Sequence, residues 1–301
     1  MPPAASNRLR VAAIDFLNPA PLMWDFEHPP LDASLAARYE LHYTQPARCA
    51  LEVIEGRADL GLIPIAALTA DLAIIPGCAI ASLDEVRSIQ LIVKLDRRRD
   101  EPSEPDRPLG SIRTIAADTA SLSSLAYAQI LFRKFIGTDP VFTPIPADPI
   151  AMLSQADAAL LIGDPALLAL EAREGIEAAV GPCVWLDLAH EWRARTGLPW
   201  VAAVWAVRPE ALASGTVPAE LIADLQLSRD HGLAHIEELV EEWVPRIALP
   251  AATIRGYLTR NIHYTLDEAC VDAISVFREY AAEVGVLPSL PALRFLGLEI
   301  S

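Results

Sequence analysis

The sequence predicts an α/β protein whose two lobes flank a ligand cleft. Three observations predict it. Short apolar runs that read as strands alternate with segments that read as helices. A charged, proline-containing stretch, residues 96–108, separates one such series from a second. A mainly helical stretch then runs from Pro218 to about Val286.

Each element has a local reason. Residues 10–16 form an apolar run and Tyr39–Thr44 alternates in polarity, so both read as strands. Pro46–Ile54 starts with proline and is closed by Gly56, which suits a helix. Residues 60–63 read as a third strand, followed by Pro64 and a helix from Ile65. Residues 88–94 read as a fourth strand. Arg97, Arg98 and Arg99 stand beside Asp100 and Glu101, which makes 96–108 a solvated loop rather than a nucleic-acid patch. The second series opens with a strand over 111–117, a turn at 118–121 and a helix over 123–135. A strand over 157–162 runs into Gly163-Asp164-Pro165, which opens another helix. Residues 187–196 read as a helix closed by Gly197, and Trp200–Val207 as a long apolar strand. The expected division is a first lobe of residues 1–93 and 204–301 and a second of 94–203. Strands near Ile89 and Val201 carry the chain across, and the C-terminal helices pack back on the first lobe.

Composition narrows the function. The 301 residues are 52% hydrophobic, enough for a large core. The longest apolar runs are broken by Asp, Gly or Pro, so no membrane insertion is expected. After Arg8 and Arg10 only Val-Ala-Ala-Ile precedes Asp15, too short for a signal peptide, and a cytoplasmic location is expected. Cys49, Cys78, Cys183 and Cys270 share no paired spacing and suggest neither disulfides nor a zinc site. A formal charge of −16 argues against nucleic acid and anionic membranes. An anionic metabolite must then be held by local dipoles and a few donors.

The candidate chemistry sits at strand ends. The segment from Val11 to Leu22 places Asn18 between a strand and a proline-started helix, where small anions bind in open α/β sheets. From that segment alone, Asn18 reads as a helix cap. Ser88, Ser121, Ser123, Ser124 and Gly163 lie at other strand ends. Hydroxyls beside free N–H groups at a helix start make a nest for a carboxylate, although an N-cap with spare serines is an equal reading. No Gly-x-Ser-x-Gly elbow is present, and no Ser–His–Asp set is suggested by the spacing. His231 and His235 are four apart, but Gly232 between them and the lack of a third ligand favour a solvent-exposed pair, so no metal is expected. His190 reads as part of a surface helix. No Walker loop or dinucleotide fingerprint follows a strand, so no nucleotide cofactor is expected. Between Tyr43 and Ala189 there is no histidine, which excludes an imidazole base from the second lobe.

Several short motifs occur in order: Asp15-Phe16-Leu17-Asn18, Gly61-Leu62-Ile63-Pro64, Val86-Arg87-Ser88, Asp118-Thr119-Ala120-Ser121, Ile162-Gly163-Asp164-Pro165-Ala166-Leu167, Thr196-Gly197-Leu198-Pro199 and the run from Tyr257 to Tyr264. The set resembles the menaquinone-biosynthesis chorismate dehydratases of the futalosine pathway, from about Val11 to Val286. The resemblance implies a fold similar to type II periplasmic binding proteins. It implies a cytoplasmic lyase that removes water from a dicarboxylate, chorismate, to give 3-(1-carboxyvinyloxy)benzoate, with a substrate carboxylate as base. It also implies the site: Asn18 hydrogen-bonds the enolpyruvyl carboxylate or the departing hydroxyl. Ser88 binds one carboxylate, and Ser121 with Ser123 and Ser124 forms the nest for the other. Gly163 permits close backbone approach, Asp164 caps its helix, and Arg87 turns away if Ser88 faces the cleft. The chain departs from the family pattern at Pro19, often Thr, and at Leu122, in a stretch where members often carry Arg, leaving one cation fewer. Two alternatives remain: the sibling enzyme that makes a dihydroxynaphthoate with a histidine base, and a non-catalytic solute-binding protein for a small carboxylate.

Overall fold

The computed structural model describes residues 8–28, 33–95, 107–118, 122–214 and 217–297. In chain order its strands are β1 (Leu9–Ile14), β2 (Tyr39–Thr44), β3 (Leu60–Pro64), β4 (Ala73–Ser82), β5 (Ile89–Lys94), β6 (Thr114–Ala117), β7 (Val141–Pro144), β8 (Ala158–Ile162), β9 (Cys183–Asp187), β10 (Trp200–Val207) and β11 (His263–Leu266). They form two sheets, ordered β11-β4-β10-β3-β1-β2 and β7-β6-β8-β5-β9. The protein is a two-lobed α/β fold.

Both sheets are built on one plan. β1 pairs in parallel with β2 and β3, and β6 pairs in parallel with β7 and β8. Each parallel trio then accepts one antiparallel strand, β10 beside β3 and β5 beside β8. The chain enters the second sheet at β5 and returns to the first at β10. β3 and β8 are buried along their whole length, which is why they read as unbroken apolar runs. Among the described residues no helix is long and apolar enough to cross a membrane.

Several elements differ from the sequence reading. β1 stops at Ile14, and the exposed Asp15 that follows meets Arg246 at 2.8 Å. The helix expected from Ile65 is a single 3₁₀ turn, Ile65–Ala67, after which the chain forms β4. The strand expected over 111–117 shortens to β6, preceded by a short helix, Arg107–Ser111. The C-terminal helical stretch is interrupted by β11, which pairs with β4. Residues 96–106 of the charged loop and 119–121 of the Ser-rich turn, including Ser121, lie outside the described residues.

The helix Pro218–Ala234 packs on the 3₁₀ turn Ala20–Met23 that follows Asn18. Ser228 ties the two together: its hydroxyl accepts the Asp25 N–H at 3.0 Å and donates to the Leu22 carbonyl at 2.9 Å. His231 and His235 are part of this packing and not a solvent-exposed pair. His231 Nδ1 lies 2.8 Å from the buried Asp25 carboxylate, and the His235 ring stacks on Trp24 at 4.5 Å. Gly232 is needed between them, because a Cβ there would lie 2.1 Å from the Pro21 carbonyl oxygen. Gly232→Ala should therefore destabilise the protein by about 1–3 kcal/mol in urea denaturation, the usual cost of overpacking.

Candidate functional site

A cavity of about 60 Å³ lies between the two sheets. Ile14, Phe16, Asn18 and Ile80 form its first wall, and Ser88, Ile89, Ile162 and Gly163 form its second. Trp200, Ala202 and Ala203 of the crossing strand β10 also line it. A wider groove adjoins it at Phe16, flanked by Arg48 and Arg57.

Asn18 is not the cap that its position suggested. Pro19 stands at the N-cap of the following turn, and the Ala20 N–H bonds the Leu17 carbonyl at 3.1 Å. The Asn18 side chain lines the cavity instead, and its Oδ1 is buried without a hydrogen-bond partner. A buried polar atom left unpaired costs free energy that a ligand group can recover. The indole Nε1 of Trp200, on the same cavity, is likewise buried without a partner.

Three helices begin at this cavity. Pro46 opens Pro46–Ile54, Ser123 opens Ser123–Ile130, and Gly163 opens Gly163–Glu171; all three residues line the cavity. Their cap residues, Gln45, Leu122 and Ile162, give no side-chain cap. The positive ends of three helix dipoles thus lie at the cavity, where they favour an anion. Elsewhere Asp148, Asp187 and Asp267 cap three helices, while Pro218–Ala234 and Ile236–Ile247 also start without a side-chain cap. Among the described residues lining the cavity there is no histidine, lysine or arginine.

Ser88 is buried on the cavity, and the Tyr257 hydroxyl lies beside it. The Ser88 carbonyl accepts the Gly163 N–H at 2.8 Å, which joins the crossover to the second wall. The preceding Arg87 adopts a left-handed φ of 62°. The Asp187 carboxylate holds that conformation by accepting the Arg87 N–H at 2.6 Å, and burial pushes the Asp187 carboxyl above the usual carboxylate range. The Arg87 side chain is not among the cavity-lining groups.

The serines divide. Ser123 lines the cavity, but its hydroxyl donates to the Ala202 carbonyl at 2.9 Å and accepts the Ala66 N–H at 3.3 Å, so it serves the scaffold. Ser124 is buried and lines the cavity. Leu122, in the Ser-rich turn, also lines it.

Gly163 has φ 61°, and a Cβ there would lie 3.0 Å from Phe16 Cε2. The close approach it permits is to an aromatic ring of the facing lobe. Asp164 does not cap its helix. Its Oδ1 instead reaches the first lobe and accepts the Leu17 N–H at 3.2 Å. Burial raises this carboxyl to about 6, Asp15 adds to the rise, and the Leu17 N–H and Arg246 oppose it.

Sequence reasoning gave no site role to Phe16, Trp200 or Tyr257. Phe16 and Tyr257 fall in quoted motifs and Trp200 opens an apolar strand, but none carried a role. One further cluster brings ligand-type atoms together: His263, Asp267 and Cys270 lie within 4.8 Å of one another. Capping accounts for it, since Asp267 accepts the Cys270 N–H at 2.9 Å and pairs with His263 at 2.9 Å.

A carboxyl that titrates near 6 when folded, and in the ordinary range when unfolded, favours folding below that range and opposes it as pH rises through 6. Asp164→Asn is expected to raise the melting temperature at about pH 7.5 and to change it much less near about pH 4. Thermal denaturation at the two pH values checks this.

Comparison with known proteins agrees with the geometry. Residues 9–283 match the family profile described as menaquinone biosynthesis. Chorismate dehydratase from Thermus thermophilus is 28% identical over 216 residues, covering 69% of this chain and 73% of that protein. A structure from Archaeoglobus fulgidus superposes with TM-score 0.70 at 17% identity, covering 94% of this chain and all (100%) of the other. The periplasmic aliphatic sulphonate-binding protein of Escherichia coli superposes with TM-score 0.64 at 14% identity, covering 98% of this chain and 96% of the other. These two share the fold, that of periplasmic binding proteins. The family match runs through both sheets and every described wall of the cavity, and the chain belongs to the menaquinone-biosynthesis family.

Proposed function

We propose that the protein removes water from chorismate to give 3-(1-carboxyvinyloxy)benzoate, as a cytoplasmic lyase of menaquinone biosynthesis by the futalosine route. The observation that carries this reading is the convergence of three uncapped helix starts on a cavity without a lining cation. Such a site suits a dicarboxylate held by backbone N–H groups. The dehydratase from Thermus thermophilus supports the choice of chorismate.

The chemistry asks little of the protein. A substrate carboxylate takes the proton from the ring carbon that bears the ether, the hydroxyl on the next carbon leaves, and the ring becomes aromatic. No electron acceptor is needed. The protein orients the substrate and stabilises developing charge. In this reading Asn18 directs its amide at the enolpyruvyl carboxylate or the departing hydroxyl, and Ser88 and the helix starts at Ser123 and Gly163 hold the carboxylates. Phe16 and Trp200 give the ring apolar walls. A lining without histidine favours this self-assisted elimination over the sibling reaction with its histidine base. At about 60 Å³ the cavity is far below the roughly 300 Å³ at which ligand sites begin, so this reading requires the lobes to stand further apart around the substrate.

Purified protein mixed with chorismate is expected to consume it while a benzoate-type absorbance grows. Unchanged chorismate at high protein concentration would reject the reading, and binding without turnover would favour a solute-binding role. Asn18→Asp sets a charge beside an anion and should lower kcat by about 100-fold or more. Near-normal turnover in that variant would remove Asn18 from the site.

A further inference from the structure

Three consecutive residues of the first lobe are clasped by two of the second. The Phe16 ring rests on Gly163, the Leu17 N–H bonds Asp164, and the Asn18 side chain enters the cavity. Asp164 therefore fixes the backbone next to the one cavity-lining amide. The charged and titratable groups that act on it are Asp15 and Arg246, which pair with each other at 2.8 Å, and the buried Tyr257 hydroxyl.

We propose that Asp164 is a positioning residue that takes up a proton when an anion fills the cleft, so that Asn18 stays clasped without two negative charges side by side. This rests on the dicarboxylate reading above. Burial pushes the Asp164 carboxyl up to about 6, so that near neutral pH it is poised to gain a proton. An anion beside Gly163 adds negative charge to the same wall and disfavours the carboxylate. The proton comes from solvent on binding and returns to it on release. The neutral carboxyl keeps a carbonyl oxygen for the Leu17 N–H, so the clasp survives. Uptake removes one negative charge from the wall, which helps a chain of net charge −16 hold a dianion without a lining cation.

Calorimetry with the non-reactive dicarboxylate 3-(carboxymethoxy)benzoate, at about pH 7 in buffers of different ionisation heat, reads the uptake directly. Wild-type protein should take up close to one proton per ligand, and Asp164→Asn should bind the probe with none. Asp164→Ala, which also loses the acceptor for Leu17, should bind about tenfold more weakly than Asp164→Asn. No uptake by the wild type, or the same uptake by Asp164→Asn, would overturn the proposal. A second readout needs no ligand: with ¹⁵N-leucine labelling, the Leu17 amide resonance should titrate with a midpoint of about 6 and stay flat in Asp164→Asn. A flat wild-type response would overturn the clasp itself. A response at Leu17 without probe binding would overturn the dicarboxylate reading and the anion-linked step together.

Discussion

The two lobes meet where there is no room for a side chain. Gly163 supplies that place, because its left-handed φ and missing Cβ let the Phe16 ring lie against the start of a helix. A larger residue would push the ring away and with it the loop that carries Leu17 and Asn18. The wall with the unpaired amide is thus positioned by contact with the opposite lobe. Behind it, the Gly232 contact with Pro21 and the Ser228 hydrogen bonds hold the following turn from its own lobe. Asn18 sits between these two supports.

The electrostatics follow from where caps are present and where they are missing. An acidic chain that is to hold an anion cannot rely on its overall field. Three helices away from the cleft are capped by Asp148, Asp187 and Asp267, which take up free N–H groups and oppose anions. The three helices that start at the cavity have glutamine, leucine and isoleucine in the cap position, with no side-chain cap from any of them. Asn18 Oδ1 and Trp200 Nε1, both buried without a partner, add an acceptor and a donor to the same space. Neutral dipoles of this kind hold charge without the desolvation cost of a buried cation.

Much of this was legible in the sequence. β1, β3, β5, β8 and β10 are runs whose apolar content signals strand, β2 alternates in polarity, and the residues at strand ends marked Asn18, Ser88 and Gly163. β4 was hidden because Pro76 and Gly77 interrupt it; the sheet absorbs them at irregularities in its pairing with β10. β11 has only four residues and exists because the edge of β4 was open to it. The roles of Phe16 and Trp200 could not be read locally, since an apolar side chain facing a cleft looks the same as one facing core. Asp164 is the clearest case. Its position favours a cap, yet its partner lies 147 residues earlier in the chain. Only the closing of one lobe on the other buries it and moves its titration.

The central claim is that helix starts and one amide, not cations, hold the ligand. A crystal structure with 3-(carboxymethoxy)benzoate bound tests it most directly. One carboxylate is expected within hydrogen-bond reach of Asn18 or Ser88, the other at the helix start at Ser123 or at the Asp164 N–H, and the ring between Phe16 and Trp200. A ligand seated in the outer groove with its carboxylates on Arg48 and Arg57, or an Asn18 side chain turned away from it, would contradict the account.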